Sequence, residues 1–242
     1  MKIGSFGKKN NGKTEKELFL TKEVPFAVEE AYKSLRTNLV FSLPEDECKT
    51  IEVTSSVQNE GKSVTSVNLS IALAKNGFKV ILIDCDLRLA TIARKLKIAQ
   101  NPGLTNLLFG LSSAQEIIYH HPSGIDVIPA GDLPPNPSEA LGSSRMTAVL
   151  EFMKNHYDYV ILDAPPVGVV TDAAVLAPKV SGIIMVVRQG VASYEGIDSA
   201  IEKLKIANGN LLGFVMTDAV TEKKDYSRYG YGKSRNASNE RQ

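Results

Sequence analysis

The chain of 242 residues has two cysteines, almost no net charge, and no apolar run long enough to cross a membrane. Each shortage excludes something. Cys48 and Cys85 are far apart in sequence and Cys85 falls inside an apolar run, so they read as reduced thiols in a cytoplasmic protein rather than a disulfide framework. A net charge of +1 gives no global electrostatic signal for nucleic acid. No stretch reaches the roughly 18 apolar residues of a membrane span, and the polar, Lys-rich start is no signal peptide. No direct membrane span is expected. No internal repeat is visible.

Apolar residues are also scarce at both ends. Residues 1–24 are rich in Gly, Asn and Lys and read as a flexible lead-in. After Val220 there is no Leu, Ile, Val, Phe or Met, so residues 221–242 read as a flexible tail that cannot bury enough surface to fold. Residues 25–220 remain for one α/β domain, a size that a single core can stabilise.

Within that domain, Ala27, Ala31, Leu35, Leu39 and Val40 form a helical stripe that Pro44 and Glu45-Asp46-Glu47 end. Strands are expected at the start of the Ile51–Ser63 segment, along the runs Lys79–Asp86 and Tyr159–Pro166, and at Asp126–Pro129, Gly182–Val187 and Leu211–Thr217. An amphipathic helix should follow Ser63, present Val67, Ile71 and Ala74 on one face, and stop at Asn76-Gly77. Further helices are expected over 139–154 and 194–207. Strands alternating with helices predict βαβ units and a mainly parallel central sheet flanked by helices.

The segment from Ile51 to Ser63 carries the chemistry. An apolar strand enters a short polar loop that closes on Gly61-Lys62-Ser63 at the start of a helix. Backbone N–H groups and a helix N-terminus there converge on an anion, Lys62 adds a point charge, and Ser63 offers a hydroxyl to a magnesium ion bridging two phosphates. The pattern G-x-x-x-x-G-K-[ST] is met except that Ser56 replaces the first glycine. Two further strands end in carboxylates, one at Asp84 and Asp86 and the other at Asp163. Ligands in open parallel sheets lie beyond the carboxyl ends of the strands, which places all three near Lys62. Any one of them could simply cap the next helix. Three carboxylates beside a polyphosphate imply magnesium, with ATP as the nucleotide. The tail adds Tyr226, Tyr229 and Tyr231 within six residues. As an aromatic–basic strip for single-stranded nucleic acid this is interrupted by Glu222, Asp225 and Glu240. As a set of tethered phosphate acceptors it completes the ATP site.

Together these segments resemble the bacterial tyrosine kinases of capsular and exopolysaccharide loci, in the form with a separate cytoplasmic kinase chain. That family is a P-loop NTPase of the MinD/ParA-like group. Its Walker A segment resembles Ser56–Ser63, its Walker A′ strand resembles Ile81-Leu82-Ile83-Asp84-Cys85-Asp86-Leu87-Arg88, and its Walker B strand resembles Val160–Pro166. Asn101-Pro102-Gly103-Leu104-Thr105 and Pro134-Pro135-Asn136-Pro137-Ser138-Glu139 resemble family segments as well, and the likeness spans about residues 26–232.

The resemblance implies ATP-dependent autophosphorylation of the tyrosine cluster in trans within a ring-shaped homo-oligomer. It also implies activation by the cytoplasmic segment of a membrane-bound polysaccharide co-polymerase, which recruits the chain to the inner face of the membrane, and reversal by a cognate tyrosine phosphatase. Ser56, Asn59, Glu60, Gly61, Lys62, Ser63 and Val64 would hold the nucleotide. Ser63, Asp84 and Asp163 would hold magnesium, and Lys62, Asp84, Asp86 and Asp163 would form the catalytic set. Asp84 is the expected group for deprotonating the incoming tyrosine, whose phenol needs such help at neutral pH.

Departures from the family pattern are specific. Gln58-Asn59 stands where Pro-Gly is frequent, and Asn is the best non-Gly substitute for a positive φ. The oligomerisation motif Glu-x-x-Arg-x-x-Arg reads Glu30-x-x-Lys33-x-x-Arg36, and Lys lacks the bidentate fork of Arg. An Asn expected near Thr217-Asp218 to contact the base is absent. A switch ATPase of the partitioning type would share the fold, but it usually carries a second Lys early in the loop, where this chain has Ser55-Ser56-Val57-Gln58. A non-catalytic scaffold that binds nucleotide is the other alternative; only chemistry separates it from a kinase.

Overall fold

The computed structural model describes residues 19–21, 24–44 and 48–219. A helix, α1 (Phe26–Ser42), precedes the first strand, β1 (Lys49–Ser55), which leads through the Gly-Lys-Ser loop into α2 (Lys62–Ala74) and β2 (Val80–Asp84). Three short helices, α3 (Ile92–Leu96), α4 (Leu104–Leu108) and α5 (Ala114–Ile117), then lead to β3 (Tyr119–His120) and β4 (Asp126–Ile128). α6 (Pro137–Gly142) and α7 (Ser144–Lys154) precede β5 (Tyr159–Asp163). The chain closes with α8 (Asp172–Leu176), β6 (Gly182–Arg188), α9 (Tyr194–Ile206) and β7 (Leu211–Thr217).

The strand order is β3-β4-β2-β5-β1-β6-β7, parallel throughout except where β3 pairs antiparallel with β4. Because β2 and β5 are covered on both faces, they read as nearly unbroken apolar runs, whereas β1, equally buried from Thr50 to Ser55, alternates Ile51 and Val53 with Thr50, Glu52 and Thr54. The two-residue period sends alternate side chains into two cores. Ile51, Val53, Leu82 and Ile161 pack with Val67, Ile71 and Leu73 of α2. Ile81, Ile83, Val160 and Leu162 pack with Met146 and Leu150 of α7, Leu176 of α8 and Leu204 of α9.

Several expectations change. α2 is not amphipathic: every residue from Thr65 to Leu73 is buried. Its polar side chains face neighbours rather than water, Ser70 Oγ donating to the Ser66 carbonyl and Asn68 Oδ1 accepting from the Leu20 N–H. The lead-in is not wholly detached, since Phe19 and Leu20 are buried in the α2 core and Lys75 Nζ donates to the Leu20 carbonyl. The single helix expected over 139–154 is two. Ser143 is extended and its hydroxyl accepts the Met146 N–H, so it ends α6 and caps α7 in one residue. Among the described residues no helix is long and apolar enough to cross a membrane.

Candidate active site

The carboxyl ends of β1, β2 and β5 converge on the loop before α2. Two residues of this loop need positive φ: Asn59 at 64° and Gly61 at 91°, the second being the N-cap of α2. Asn tolerates the left-handed region, so Gln58-Asn59 builds the turn without a Pro-Gly pair. The Glu60 side chain is fully buried and turned away from the cavity. Its Oε2 accepts from Ser56 Oγ and the Val57 N–H, both at 2.9 Å, and its Oε1 accepts from the Arg188 N–H at 3.2 Å. Ser56 and Glu60 therefore brace the loop internally. Behind it, Gly168 passes so close that a Cβ there would lie 2.0 Å from the Ser56 carbonyl oxygen, leaving no room for any other residue.

Lys62 Nζ lies 2.7 Å from Asp86 Oδ2 and 4.0 Å from Asp163 Oδ2. Burial works to lower its pKa, but the charges of Asp163 and Asp86 outweigh that and hold the ammonium above its ordinary value. Asp163 accepts from Ser66 Oγ at 3.0 Å through Oδ1, while Oδ2 is buried without a hydrogen-bond partner among the described residues. Burial raises Asp163, opposed by Lys62 and by the Ser63 hydroxyl beside it. The unpartnered oxygen next to Ser63 fits a divalent cation. Among the described residues no three His, Cys, Asp or Glu side chains converge as a metal site of their own, so a magnesium ion here would share its shell with phosphate oxygens, as that ion ordinarily does.

Asp84 has another part than expected. It is fully buried, its Oδ1 accepts the Asp86 N–H, and its Oδ2 accepts the N–H groups of Thr91 and Ile92 at 3.2 and 3.1 Å. Both oxygens thus pin the first turn of α3 and the loop after β2, the capping role open to any of these carboxylates. Burial and the nearby Asp163 push its pKa well up. Asp86, in contrast, lines the cavity.

That cavity, about 760 Å³, runs past the loop. Its lining includes Ala31, Tyr32 and Leu35 of α1, Val215 and Thr217 at the end of β7, and Leu89, Arg94, Val169 and Val170. Val64 lines it beside Lys62 and Ser63. Where an Asn was sought for the base, Arg188 instead pairs with Asp218 and donates to the Asn59 carbonyl. On α1, Lys33 pairs within its own helix with Glu29 and Glu30, and Arg36 Nη1 donates to the Ala72 carbonyl. Tyr226, Tyr229 and Tyr231 lie outside the described residues. The sequence reading missed Arg188, Thr217, Gly168 and Asp172, whose partners are distant in sequence; nothing local marks them.

A strand–loop–helix phosphate cradle with a lysine held between two strand-end aspartates, on a mainly parallel sheet, defines a P-loop nucleotide-binding protein. A family model described as an AAA domain matches residues 48–212. The tyrosine-protein kinase CpsD of Streptococcus agalactiae is 35% identical over 207 residues, covering 84% of this chain and 90% of its own length. The tyrosine-protein kinase YwqD of Bacillus subtilis is 35% identical over 203 residues, covering 84% and 85%. The kinase domain of the Escherichia coli tyrosine kinase ETK superposes with a TM-score of 0.76 at 33% identity, covering 84% of each chain. The chimerical protein CapA2B2 gives 0.78 at 28%, covering 84% of this chain and 90% of the other. The septum site-determining protein MinD of Pyrococcus horikoshii, complexed with Mg-ADP, shares the fold at a TM-score of 0.60 and 24% identity. The chain belongs to the bacterial tyrosine-protein kinase family.

Proposed function

We propose that this chain is an ATP-dependent protein-tyrosine kinase that phosphorylates the Tyr226, Tyr229 and Tyr231 cluster of a neighbouring copy in a homo-oligomer. The observation that carries the reading is the Lys62 ammonium between Asp86 and Asp163 at the mouth of a braced phosphate loop. The N–H groups of Asn59 to Val64 and the Lys62 ammonium hold the phosphates. Ser63 and Asp163, whose Oδ2 has no hydrogen-bond partner among the described residues, would hold magnesium, which would supply charge neutralisation in phosphoryl transfer. Asp86, at the cavity wall, takes the phenol proton while the tyrosine oxygen attacks the γ-phosphorus, and Lys62 stays bound to the transferring group. Asp84 fixes the loop that presents Asp86. Phosphoryl transfer is mainly positioning and charge stabilisation, so few groups suffice.

Glu30, Lys33 and Arg36 sit on one stretch of α1 and are the proposed contact with the next subunit. A membrane-bound polysaccharide co-polymerase recruits and activates the chain at the inner face of the membrane, and a cognate tyrosine phosphatase resets it. The relatives named as tyrosine-protein kinases support the kinase part of this reading.

Incubation with labelled ATP and magnesium, with and without the activator's cytoplasmic peptide, followed by phosphotyrosine mapping, tests the reading. Label is expected on tail tyrosines in the wild type and absent in Lys62→Met. A wild type that labels no tyrosine with the peptide present overturns kinase activity. Normal labelling by Lys62→Met overturns the assigned site.

A further inference from the structure

Part of the cavity wall comes from two loops. One follows β2 and carries Asp86, Arg88 and Leu89; the other follows β5 and carries Val169 and Val170. Leu89 and Val169 are 58% and 54% exposed, large apolar side chains on separate loops of the same cavity. Such walls suit an aromatic ring.

These loops are tied by one buried acid. Asp172, the first residue of α8, is fully buried. Arg88 Nε donates to its Oδ2 at 2.8 Å and Nη2 to its Oδ1 at 3.0 Å. Ser138 of α6 donates its hydroxyl to the same Oδ1, and its oxygen lies 3.2 Å from Thr171 Oγ1. Three segments that are separate in sequence thereby meet on a single carboxylate: the loop after β2, the start of α6 and the start of α8. A planar fork on a buried carboxylate has one good geometry, which an ammonium cannot reproduce.

We infer that Arg88, through Asp172 and Ser138, is the positioning residue for the acceptor end of the groove. It fixes the separation of the Leu89 and Val169 walls around the incoming tyrosine ring. The inference rests on the kinase reading above. The phosphate loop has its own braces in Glu60, Arg188 and Thr217, so ATP binding and acceptor engagement are supported by different contacts. Loss of the clamp therefore acts on acceptor kinetics and spares ATP affinity, a division that a role in stability alone would not produce.

The test uses full-length chains. The acceptor is the Lys62→Met chain with its tail tyrosines intact. The enzymes carry Tyr226→Phe, Tyr229→Phe and Tyr231→Phe, so that only the acceptor takes label. Transfer is measured against acceptor concentration, and ATP affinity by titration with a fluorescent ATP analogue. Arg88→Lys and Asp172→Asn are expected to lower kcat/KM for the acceptor by about tenfold or more. Ser138→Ala is expected to lower it by about threefold, and nucleotide Kd should stay within about twofold in all three. Wild-type transfer kinetics in Arg88→Lys overturn the clamp, because the charge is kept and only the fork is lost. A nucleotide Kd that rises in step with the lost transfer also overturns it. If Asp172→Asn does not fold, Arg88→Lys and Ser138→Ala decide. With the activator's cytoplasmic peptide present throughout, unlabelled acceptor in the assay without clamp variants refutes the kinase reading itself, whereas labelled acceptor with unimpaired variants refutes only the clamp.

Discussion

Glu52 and Glu60 stand eight positions apart in the sequence, both fully buried, and their surroundings are opposite. Glu60 accepts three hydrogen bonds, from Ser56 Oγ, the Val57 N–H and the Arg188 N–H. Both oxygens of Glu52 have no partner among the described residues. The difference follows from where each acid sits. In a loop, backbone N–H groups are open, and an inward-turned carboxylate can collect them. In the middle of β1 the backbone is engaged with β5 and β6, and the cross-strand neighbours of Glu52 are Leu162 and Ile183. Burial alone pushes the Glu52 carboxyl well above the usual carboxylate range. One acid organises the site; the other is tolerated by the sheet that carries it.

The strongest way to break this contrast is Glu60→Ala. It strands three donors at once, so unfolding free energy should drop by about 3 kcal/mol and ATP affinity by tenfold or more. Denaturant unfolding and nucleotide titration read the two, and a variant that keeps both would show that the loop holds itself. Next in size is Glu52→Met, which should stabilise the fold by about 1–3 kcal/mol at pH 8; a loss would show that the carboxyl is partnered in solution. Its pH dependence has a definite sign. With the folded pKa above the ordinary value of about 4.5, the native chain holds a proton that the unfolded chain has released, so stability falls as pH rises from there through the folded value. The advantage of the Met variant should accordingly grow across that window and level off below it, where both states are protonated and only the cost of burying the neutral carboxyl remains. Subtracting the two pH curves removes the contributions of Asp84 and Asp163, which are also raised. The smallest effect is expected at Asn59, whose φ of 64° suits Gly or Asn. Asn59→Gly should change stability by under ~1 kcal/mol and keep ATP affinity, while Asn59→Val should cost about 1–2 kcal/mol. Equal stability of the Gly and Val variants would remove the left-handed turn from the account.

The same contrast separates what the sequence could and could not reveal. β2 and β5, covered on both faces, announce themselves as apolar runs, and β7 was bounded to the residue from its apolar run although Phe214 and Met216 are exposed at the sheet edge. Gly61-Lys62-Ser63 and the strand-end aspartates were legible because function needs them at fixed spacing. Helices of four or five residues such as α3 and α8 have too few turns for a periodicity to emerge, and the α6–α7 break depends on the conformation of one serine. Glu60 was grouped with the nucleotide ligands because its sequence neighbours are; only the fold shows that its side chain points inward. Asp84 was expected to deprotonate the tyrosine because it ends a strand beside the phosphate loop; only the fold shows its oxygens taken by three backbone N–H groups. The Arg88–Asp172 pair spans 84 positions, and no local pattern connects residues at that separation.

Thr217 ends β7, donates its hydroxyl to the Glu60 carbonyl at 2.7 Å, and sits with Cγ2 3.3 Å from where a Cβ on Gly61 would be. Two residues later the described chain reaches Ala219, which lines the cavity. In mechanical terms the last strand is a short lever whose fulcrum is the nucleotide loop. A shift of Thr217 along the strand carries the Glu60 carbonyl with it, so the edge of the sheet and the shape of the phosphate cradle move as one body.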